Sequence, residues 1–301
     1  MRELLDPRAR IFLPALTLSC LIWLLARKAQ HRSLGGVLAQ LRRLLAYPDT
    51  GLDLRLGALG LGLGALLATP LSTLGLSFAV AAARAAEPYW GEAWLAAPSA
   101  ALFWGFAGAL LVVDDATRYA LHRALHRLPW LWRVHQVHHS ASVMTPLTFY
   151  RVHPIEMFLY ALRHMVVAGA VSSIFLLVAG GSLRWQELSG LQLILLAAHH
   201  ALANLRHSHV PMGWPSWLEH LLISPLQHQM HHSRCEIVRN YGSIFSLWDY
   251  LGGSLAVSAN SAGARDFCLR RFGLCSRRRK RMLDRPCWAR YFIPSSGLLP
   301  L

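Results

Sequence analysis

Long apolar runs dominate the first two thirds of the chain. Each of the five runs approaches or exceeds the ~20 residues that a helix needs to cross a bilayer. The runs cover residues 11–26, 56–83, 95–113, 155–180 and 186–203. No alternation of polar and apolar positions stands out as a strand. The pattern therefore predicts an all-α integral membrane protein with four or five apolar helices, and the short first run is also compatible with a helix lying in the interface.

The distribution of basic residues predicts how these helices are oriented. The segment between the first two runs carries Arg27, Lys28, Arg32, Arg42, Arg43 and Arg55. Because positively charged loops stay in the cytoplasm, we expect residues 27–55 to be cytoplasmic. Counting spans from there returns the chain to the cytoplasm after residue 113 and again near residue 204. Both regions would then form a cytoplasmic helical cap, although Arg2, Arg8 and Arg10 would lie on the opposite side.

Composition supports the membrane assignment and disfavours nucleic acid as a partner. Hydrophobic residues make up 54% of the chain and charged residues 15%, with a formal net charge of +15. The basic residues lie beside apolar runs and in the segment 270–281, so an anionic membrane surface is the expected partner. The bias toward Leu, Ala and Arg and the lack of an ER-retrieval ending favour a bacterial inner membrane. We expect N-terminal membrane helices with a basic loop at 1–94, a catalytic domain at 95–255 and a basic tail at 256–301.

A histidine motif occurs twice, each time beyond an apolar run. The chain reads HQVHHS at 135–140 and HQMHHS at 228–233. On a helix, positions i, i+3 and i+4 share one face, so the three histidines of each motif can point at one spot. His135, His138 and His139 form the first set, and His228, His231 and His232 form the second.

Local signals predict that these histidines lie on helices. Residues 224–227, Ser-Pro-Leu-Gln, form a capping box with proline at the first helical position, which predicts a helix leading into the second motif. Residues 114–127 contain no Gly or Pro and predict a continuation of the third apolar helix, with His122 and His126 one turn apart. Pro154 predicts the start of the fourth.

The predicted site also includes His207, Asn204, Asp115 and Asp249, with His209 as a weaker candidate. In NLRHSHV at 204–210, His207 is favoured because it stands three positions after Asn204, and His209 is the weaker candidate. Asp115 shares a helical stripe with His122 and could hold a ligand histidine by a hydrogen bond. Asp249 in SLWDYLGG could orient a ligand or make a turn.

Histidine at this density predicts a metal site. Imidazole is a ligand that suits iron, zinc, copper and nickel. The two repeated motifs and the pair in HRALH supply eight histidines, more than the three or four protein ligands that one tetrahedral ion takes. We therefore expect two metal ions in a dinuclear site. The weaker interpretations are that these histidines contact lipid phosphates or lie on solvated helix faces.

These residues resemble the fatty acid hydroxylase and sterol desaturase superfamily of integral-membrane, non-haem di-iron enzymes. The pattern of that superfamily is an HxxxH box, an HxxHH box, a later single histidine, and a closing HxxHH box followed by a Trp-Asp-x-x-Gly segment. This chain has HRALH, HQVHH, HSHV, ISPLQHQMHHS and SLWDYLGGS in the same order, across about residues 95–255. His209 stands where many members have asparagine, and residues 260–301 match nothing in the pattern.

The resemblance implies a ligand set and a chemistry. Carried over residue by residue, the ligands fall on His122, His126, His135, His138, His139, His207, His228, His231 and His232. The implied cofactor is a pair of iron ions, for which zinc could substitute in the isolated protein, with O2 as co-substrate. The implied reaction is hydroxylation of a C–H bond in a fatty acyl chain, sterol or other isoprenoid lipid, with desaturation as the alternative. Electrons would come from a separate partner of the ferredoxin, cytochrome or reductase type.

Two other functions would also use histidine-bound metal in a membrane. A zinc hydrolase normally has a carboxylate base beside its metal, as in HExxH, and no such motif occurs in this sequence. A non-catalytic metal-binding protein needs no open coordination position, which a sequence does not reveal. We therefore expect a lipid hydroxylase first and a desaturase second, with these two functions after them.

Overall fold

The computed structural model describes most of the central part of the chain. The described residues are Arg42, Ala46, 48–90, 100–141, 144–179, Ala203, 206–207, 212–232 and 239–258. Their helices are α1 (Pro48–Trp90), α2 (Ala100–Arg127), α3 (Pro129–His139), α4 (Pro154–Ala179), α5 (Ser216–Glu219), α6 (Pro225–His231) and α7 (Leu247–Leu251), with a 3-10 helix at Pro146–Tyr150. Within these ranges, extended pairing is limited to an isolated antiparallel bridge between Leu222 and Phe245. The all-α prediction is confirmed for the described residues.

Two of the predicted spanning helices are long and apolar enough to cross a membrane. They cover Asp49–Ala86 within α1 and Pro154–Val178 within α4, and they correspond to the second and fourth apolar runs. Most of the third run lies in the first half of α2, which is not one of these two helices. The first run, and the fifth apart from Ala203, lie outside the described residues. A total of four or five spans therefore stays a prediction.

Helices α1, α2 and α4 pack along their apolar faces. A core between α2 and α4 consists of the buried residues Leu102, Phe106, Ala107, Leu110, Val167 and Val171. Phe106 also meets Phe175 edge to face, with ring centroids 5.2 Å apart. Helices α1 and α4 come close at Gly169, where a Cβ atom would lie 3.0 Å from the Gly75 carbonyl oxygen and 3.0 Å from the Phe78 ring. A larger residue at 169 would therefore push these helices apart.

Charged side chains also join these helices. Arg151, which is 1% exposed, directs Nε to the Asp53 carboxylate at 2.5 Å, near the start of α1. On α4, the Arg163 guanidinium donates to the Asp114 carboxylate of α2 at 2.8 Å. The first contact places the start of α1 against the segment that leads into α4. The second places the histidine-bearing half of α2 beside α4.

Buried polar side chains hold the short helices of the C-terminal half. Ser224 Oγ accepts a hydrogen bond from the Gln227 backbone N–H at 3.0 Å, and Gln227 Oε1 accepts one from the Ser224 N–H at 2.8 Å. Pro225 is the first residue of α6, so the predicted capping box and helix start are confirmed. The Glu219 carboxylate accepts from Ser224 Oγ and from the Ser258 N–H, and so ties α6 to the last described residues.

Candidate metal centre

All nine histidines of the predicted ligand set come together in two groups. Within each group the ligand nitrogens lie within 4.8 Å of one another. The five-histidine group contains His122, His126, His135, His139 and His231, and the four-histidine group contains His138, His207, His228 and His232. The rings of His139 and His232 stack with centroids 4.3 Å apart, so the two groups adjoin. Metal binding by these side chains stays a prediction.

Helices α2, α3 and α6 build the five-histidine group. His122 and His126 are one turn apart on α2, and His135 and His139 are one turn apart on α3, so each pair presents two rings on one face. The Nε2 atoms of His135 and His139 are 3.2 Å apart. His231 of α6 brings its Nε2 atom to 3.2 Å from that of His126. Two consecutive helices and a third helix about 90 residues further along the chain therefore direct imidazole nitrogens at one point.

His207 occupies the centre of the four-histidine group. Its Nε2 atom lies 3.1 Å from that of His138 and 3.0 Å from that of His228. His232, directly after α6, places its Nε2 atom 3.2 Å from that of His228. The single histidine of the later motif thus closes a group whose other members come from the two repeated motifs.

The two repeated motifs are divided between the groups in opposite ways. In the first motif, the i, i+4 pair His135 and His139 belongs to the five-histidine group and the i+3 residue His138 to the other. In the second motif, the i, i+4 pair belongs to the four-histidine group and the i+3 residue, His231, crosses to the five-histidine group. Each helix therefore contributes to both groups, which explains why the motif carries three histidines and why it occurs twice.

Hydrogen bonds to oxygen acceptors orient five of these rings. Four rings donate their Nδ1–H to a backbone carbonyl, and one donates it to a carboxylate. The donor and acceptor pairs are His122 with the Tyr241 carbonyl (2.8 Å), His138 with the Arg151 carbonyl (3.1 Å), His207 with the Ala203 carbonyl (2.7 Å), His231 with the Arg239 carbonyl (2.7 Å), and His135 with Glu156 Oε1 (3.0 Å). A carbonyl oxygen only accepts, so the proton of each neutral ring sits on Nδ1. Each Nε2 atom is left with a lone pair directed into its group.

A cation between the lone pairs that face each other would stabilise them. His138 and His207 both carry their proton on Nδ1, so their Nε2 atoms, 3.1 Å apart, cannot hydrogen-bond to each other. Two nitrogens bound ~2.1 Å from one ion lie ~3.0 Å apart when they are adjacent ligands at a right angle. Among the described residues, the buried Nε2 atom of His122 likewise has no hydrogen-bond partner. The donor set and its spacing therefore fit one metal ion in each group.

Four of the buried histidines are in the neutral form that binds metal. Burial lowers the pKa of His122, His138 and His228 well below the ordinary value, and neighbouring imidazoles lower it further. Burial also lowers the pKa of His231 to about 3. These rings are neutral at physiological pH, so a metal ion does not compete with protons for them.

Glu156 contacts the centre although its sequence context indicated no such role. It stands in the first turn of α4 at the start of an apolar run, is 3% exposed, and accepts the hydrogen bond from His135. A carboxylate behind a ligand histidine fixes the ring and raises its basicity. The backbone acceptors have no sequence signal either, because any residue type supplies a carbonyl. The one sequence signal for Glu156 was an acidic residue two positions after Pro154, at the start of an apolar run.

The two predicted acidic residues act on backbone rather than on histidines. Asp115 accepts hydrogen bonds from the backbone N–H groups of Ile244 and Phe245, each at 2.9 Å, and from Trp248 Nε1 at 3.0 Å. The expectation that it holds a ligand histidine is corrected, because Asp115 lies about two turns before His122 and faces the segment 244–248.

Asp249 orders a turn and, through it, one ligand. Its carboxylate accepts from the N–H groups of Tyr241 (2.8 Å) and Gly242 (2.7 Å) and from Ser254 Oγ (2.6 Å). Burial raises the pKa of this carboxyl to about 6. The Tyr241 carbonyl accepts the hydrogen bond from His122. The predicted roles of Asp249 in making a turn and in orienting a ligand therefore rest on the same hydrogen bonds. His209 and Asn204 lie outside the described residues.

The part of the chain that carries the two histidine groups is similar to known proteins. Residues 107–254 match the family model for fatty acid hydroxylase. This region belongs to the fatty acid hydroxylase and sterol desaturase superfamily. All nine histidines and Glu156 lie within it. The superfamily assignment and the two long apolar helices together indicate a membrane protein.

Curated relatives include lathosterol oxidases of mammals. The human protein is 26% identical over 149 residues, which are 48% of this chain and 43% of the relative. The mouse protein is 25% identical over the same shares of both chains. This chain therefore matches less than half the length of these relatives. No solved structure matches the chain.

Proposed function

We propose that this chain is a membrane lipid hydroxylase that uses a pair of iron ions and O2 to hydroxylate a C–H bond. The observation that carries the proposal is the pair of adjoining imidazole groups, all of whose members lie in the matched segment 107–254. Among the described residues, no carboxylate or thiol belongs to either group. A centre built from imidazole alone supports a transition metal and disfavours magnesium or calcium, which prefer oxygen ligands.

The number of histidines supports iron over zinc. Zinc in proteins is almost always four-coordinate when its ligands are all supplied by the chain, which suits the four-histidine group. Five imidazoles in the other group exceed that number. They suit an ion that accepts five or six ligands and binds imidazole, as iron does. The five-histidine group is therefore the stronger argument for a di-iron centre.

The side chains around the histidines would hold such a centre ready for reaction. When bound, the iron pair would supply the oxidising power that breaks an unactivated C–H bond with O2. The Nδ1–H hydrogen bonds keep each Nε2 atom aimed into its group, and Glu156 stabilises the positive charge that His135 would share with its metal. Six of the nine rings are buried, namely those of His122, His135, His138, His207, His228 and His231. Burial excludes bulk water, which would otherwise divert a reactive oxidant.

Both candidate membrane spans begin beside the histidine groups, and this position supports a lipid substrate. Arg151, whose carbonyl holds His138, binds the first turns of α1, and Glu156 of α4 contacts His135. On α4, Ile155 is 53% and Phe158 is 44% exposed, which suits contact with lipid chains. The proposed substrates are fatty acyl chains, sterols or other isoprenoid lipids. The proposed setting is a bacterial inner membrane with four or five spans, a cytoplasmic histidine-bearing cap and a separate electron-transfer partner.

Desaturation is the second candidate function. It is favoured by the relatives, which carry the name lathosterol oxidase, whereas the matching family model carries the name fatty acid hydroxylase. The two outcomes begin with removal of the same kind of hydrogen. They differ in whether hydroxyl is returned to the carbon or a second, neighbouring hydrogen is removed.

A lipid screen with labelled oxygen tests the proposal. Iron-loaded protein in detergent would receive ferredoxin, its reductase, NADPH and isotopically labelled O2, together with a panel of fatty acids, sterols and other isoprenoid lipids. Hydroxylation yields an alcohol that carries one labelled oxygen atom, and desaturation yields an unlabelled alkene. His231→Ala protein serves as the inactive control. Fully iron-loaded protein that forms neither product and consumes no O2 with any lipid class would contradict the proposal.

A further inference from the structure

Among the described residues 116–258, the exposed charged side chains are all basic. Among the described residues from 116 to 258, the acidic side chains are Glu156, Glu219 and Asp249, and none is more than 3% exposed. The arginines that are exposed in the same part of the chain are Arg127, Arg133 and Arg239. The described part of this region therefore presents exposed arginines while its carboxylates are buried.

Two of these arginines lie next to the five-histidine group. The Arg239 carbonyl accepts the hydrogen bond from His231. Arg127 hydrogen-bonds to the Tyr241 side chain, and the Tyr241 carbonyl accepts the hydrogen bond from His122. We name Arg127, Arg239 and the intervening Tyr241 the arginine surface. Tyr241 therefore links Arg127 to His122, whereas Arg239 contacts His231 through its own carbonyl.

The Tyr241 ring bridges the arginine surface and the histidines. Its centroid lies 5.3 Å from that of His126, 5.7 Å from that of His231 and 5.8 Å from that of His122. The four-histidine group is held from behind by the carbonyls of Arg151 and Ala203, each 1% exposed. In the described chain, the shorter path from solvent therefore leads to the five-histidine group.

The position of the arginine surface favours a soluble partner over the bilayer. Arg127 is the last residue of α2, whereas the apolar run occupies the other half of that helix. It lies 13 residues after Asp114, or about 20 Å along the helix axis. Arg239 also borders a surface groove of about 550 Å³ whose walls include His220 and Tyr250. A protein with an acidic face could cover the arginines and reach into this groove.

We propose that the arginine surface is the docking site of an acidic, soluble one-electron donor protein of the iron–sulfur or haem class, and that electrons reach the five-histidine group first. The proposal rests on the proposed function, which requires two external electrons per turnover. Each docking oxidises the donor by one electron. Two dockings and two protons from solvent accompany one O2, of which one oxygen atom enters the lipid and the other leaves as water.

Charge reversal tests this site with a reduced acidic [2Fe–2S] ferredoxin as the probe. The full chain, iron-loaded and held in uncharged detergent, would carry Arg127→Glu or Arg239→Glu. The matched control is Arg84→Glu, an exposed α1 residue whose charge change is the same and which lies about 45 Å along that helix from Asp53. We expect each surface variant to raise KM for ferredoxin about tenfold or more at low ionic strength, with the effect shrinking in high salt. Arg127→Lys, which keeps the charge, should restore the KM.

A second readout separates docking from the chemistry of the centre. Binding of oxidised ferredoxin, measured without turnover, should weaken in Arg127→Glu and Arg239→Glu and stay unchanged in Arg84→Glu. Product formed per chain in a single turnover of unchanged protein, after reduction by dithionite instead of ferredoxin, reports the chemistry of the centre alone. An unchanged ferredoxin KM in both surface variants, or an equal rise in the control, overturns the docking proposal. The docking proposal is also overturned if the surface variants lose binding only to phosphatidylglycerol vesicles. Absence of product from chemically reduced, unchanged protein instead contradicts the proposed function itself.

Discussion

The Nε2 atoms of His138 and His207 lie 3.1 Å apart although neither has a proton to share. Both rings donate their Nδ1–H to a backbone carbonyl, so two lone pairs face each other in a buried space. Such an arrangement is repulsive in the metal-free protein and becomes favourable when a cation lies between the rings. The folded chain therefore holds both Nε2 atoms at the spacing that two adjacent ligands of one metal ion would need.

Single histidine variants should each remove one metal ion. His231→Ala takes a ligand from the five-histidine group, and His138→Ala takes one from the four-histidine group. We expect each variant to retain about one ion per chain where unchanged protein holds two, and to lose lipid oxidation, because two ions are needed for the reaction. Metal content by mass spectrometry, with His220→Ala as an exposed control outside both groups, checks this. Two ions retained in both variants would sink the ligand assignment.

Glu156→Gln should selectively lower the metal affinity of the five-histidine group. The substitution keeps the size of the side chain but removes the charge that His135 Nδ1–H faces at 3.0 Å. We expect about a 10- to 100-fold lower metal affinity in that group, measured by competition with a chelator. Glu219→Gln is the control, because Glu219 is also a buried carboxylate but bonds to Ser224, Ser258 and the Trp214 N–H. Equal losses in the two variants would make Glu156 a purely structural residue.

Asp249→Asn should destabilise the protein and loosen His122. Asparagine offers one acceptor oxygen where the carboxylate receives hydrogen bonds from Tyr241, Gly242 and Ser254. At least one buried donor then lacks an acceptor, which lowers the free energy of unfolding by about 1–3 kcal/mol. Thermal unfolding in detergent measures this loss. A Tm equal to that of unchanged protein would show that the turn does not depend on the carboxylate.

The stability of the metal-free protein should fall as pH decreases. Burial lowers the pKa of His122, His138, His228 and His231 in the folded state, that of His231 to about 3, whereas the unfolded chain keeps ordinary values near 6.5. Below pH ~6.5 the unfolded state therefore binds more protons, and stability that is fully present above this pH is lost as pH falls toward the lowered values. Chelator-treated protein should show a decreasing Tm from pH 7 to 5, and a shallower decrease in His231→Gln. A flat profile would contradict the assigned neutral rings.

The parts of the site that sequence could predict are local. The i, i+3, i+4 spacing and the capping box at Ser224 depend on residues within one helical turn, so the helix starts follow from the sequence directly. The distribution of the histidines between two groups depends on how α2, α3 and α6 cross, and a single helix face does not reveal that. His138 and His139 are neighbours in sequence yet belong to different groups.

The residues that sequence missed or misplaced act over long distances. Glu156 and His135 are 21 positions apart, and the acceptors at Tyr241 and Arg151 are backbone atoms without a residue-type signal. Asp115 shares a helical stripe with His122, but its carboxylate bonds to a segment 129 or more positions away. Periodicity identifies a face of a helix and leaves open which neighbour covers each turn of that face.

We propose that the two adjoining histidine groups hold a pair of iron ions. Metal analysis with Mössbauer spectroscopy, on protein purified in detergent from cells grown on isotope-enriched iron, tests it most directly. We predict about two irons per chain that are magnetically coupled, with both signals altered in His138→Ala and in His231→Ala. One ion or none in unchanged protein, or two zinc ions and no iron after growth in iron-replete medium, would contradict the account.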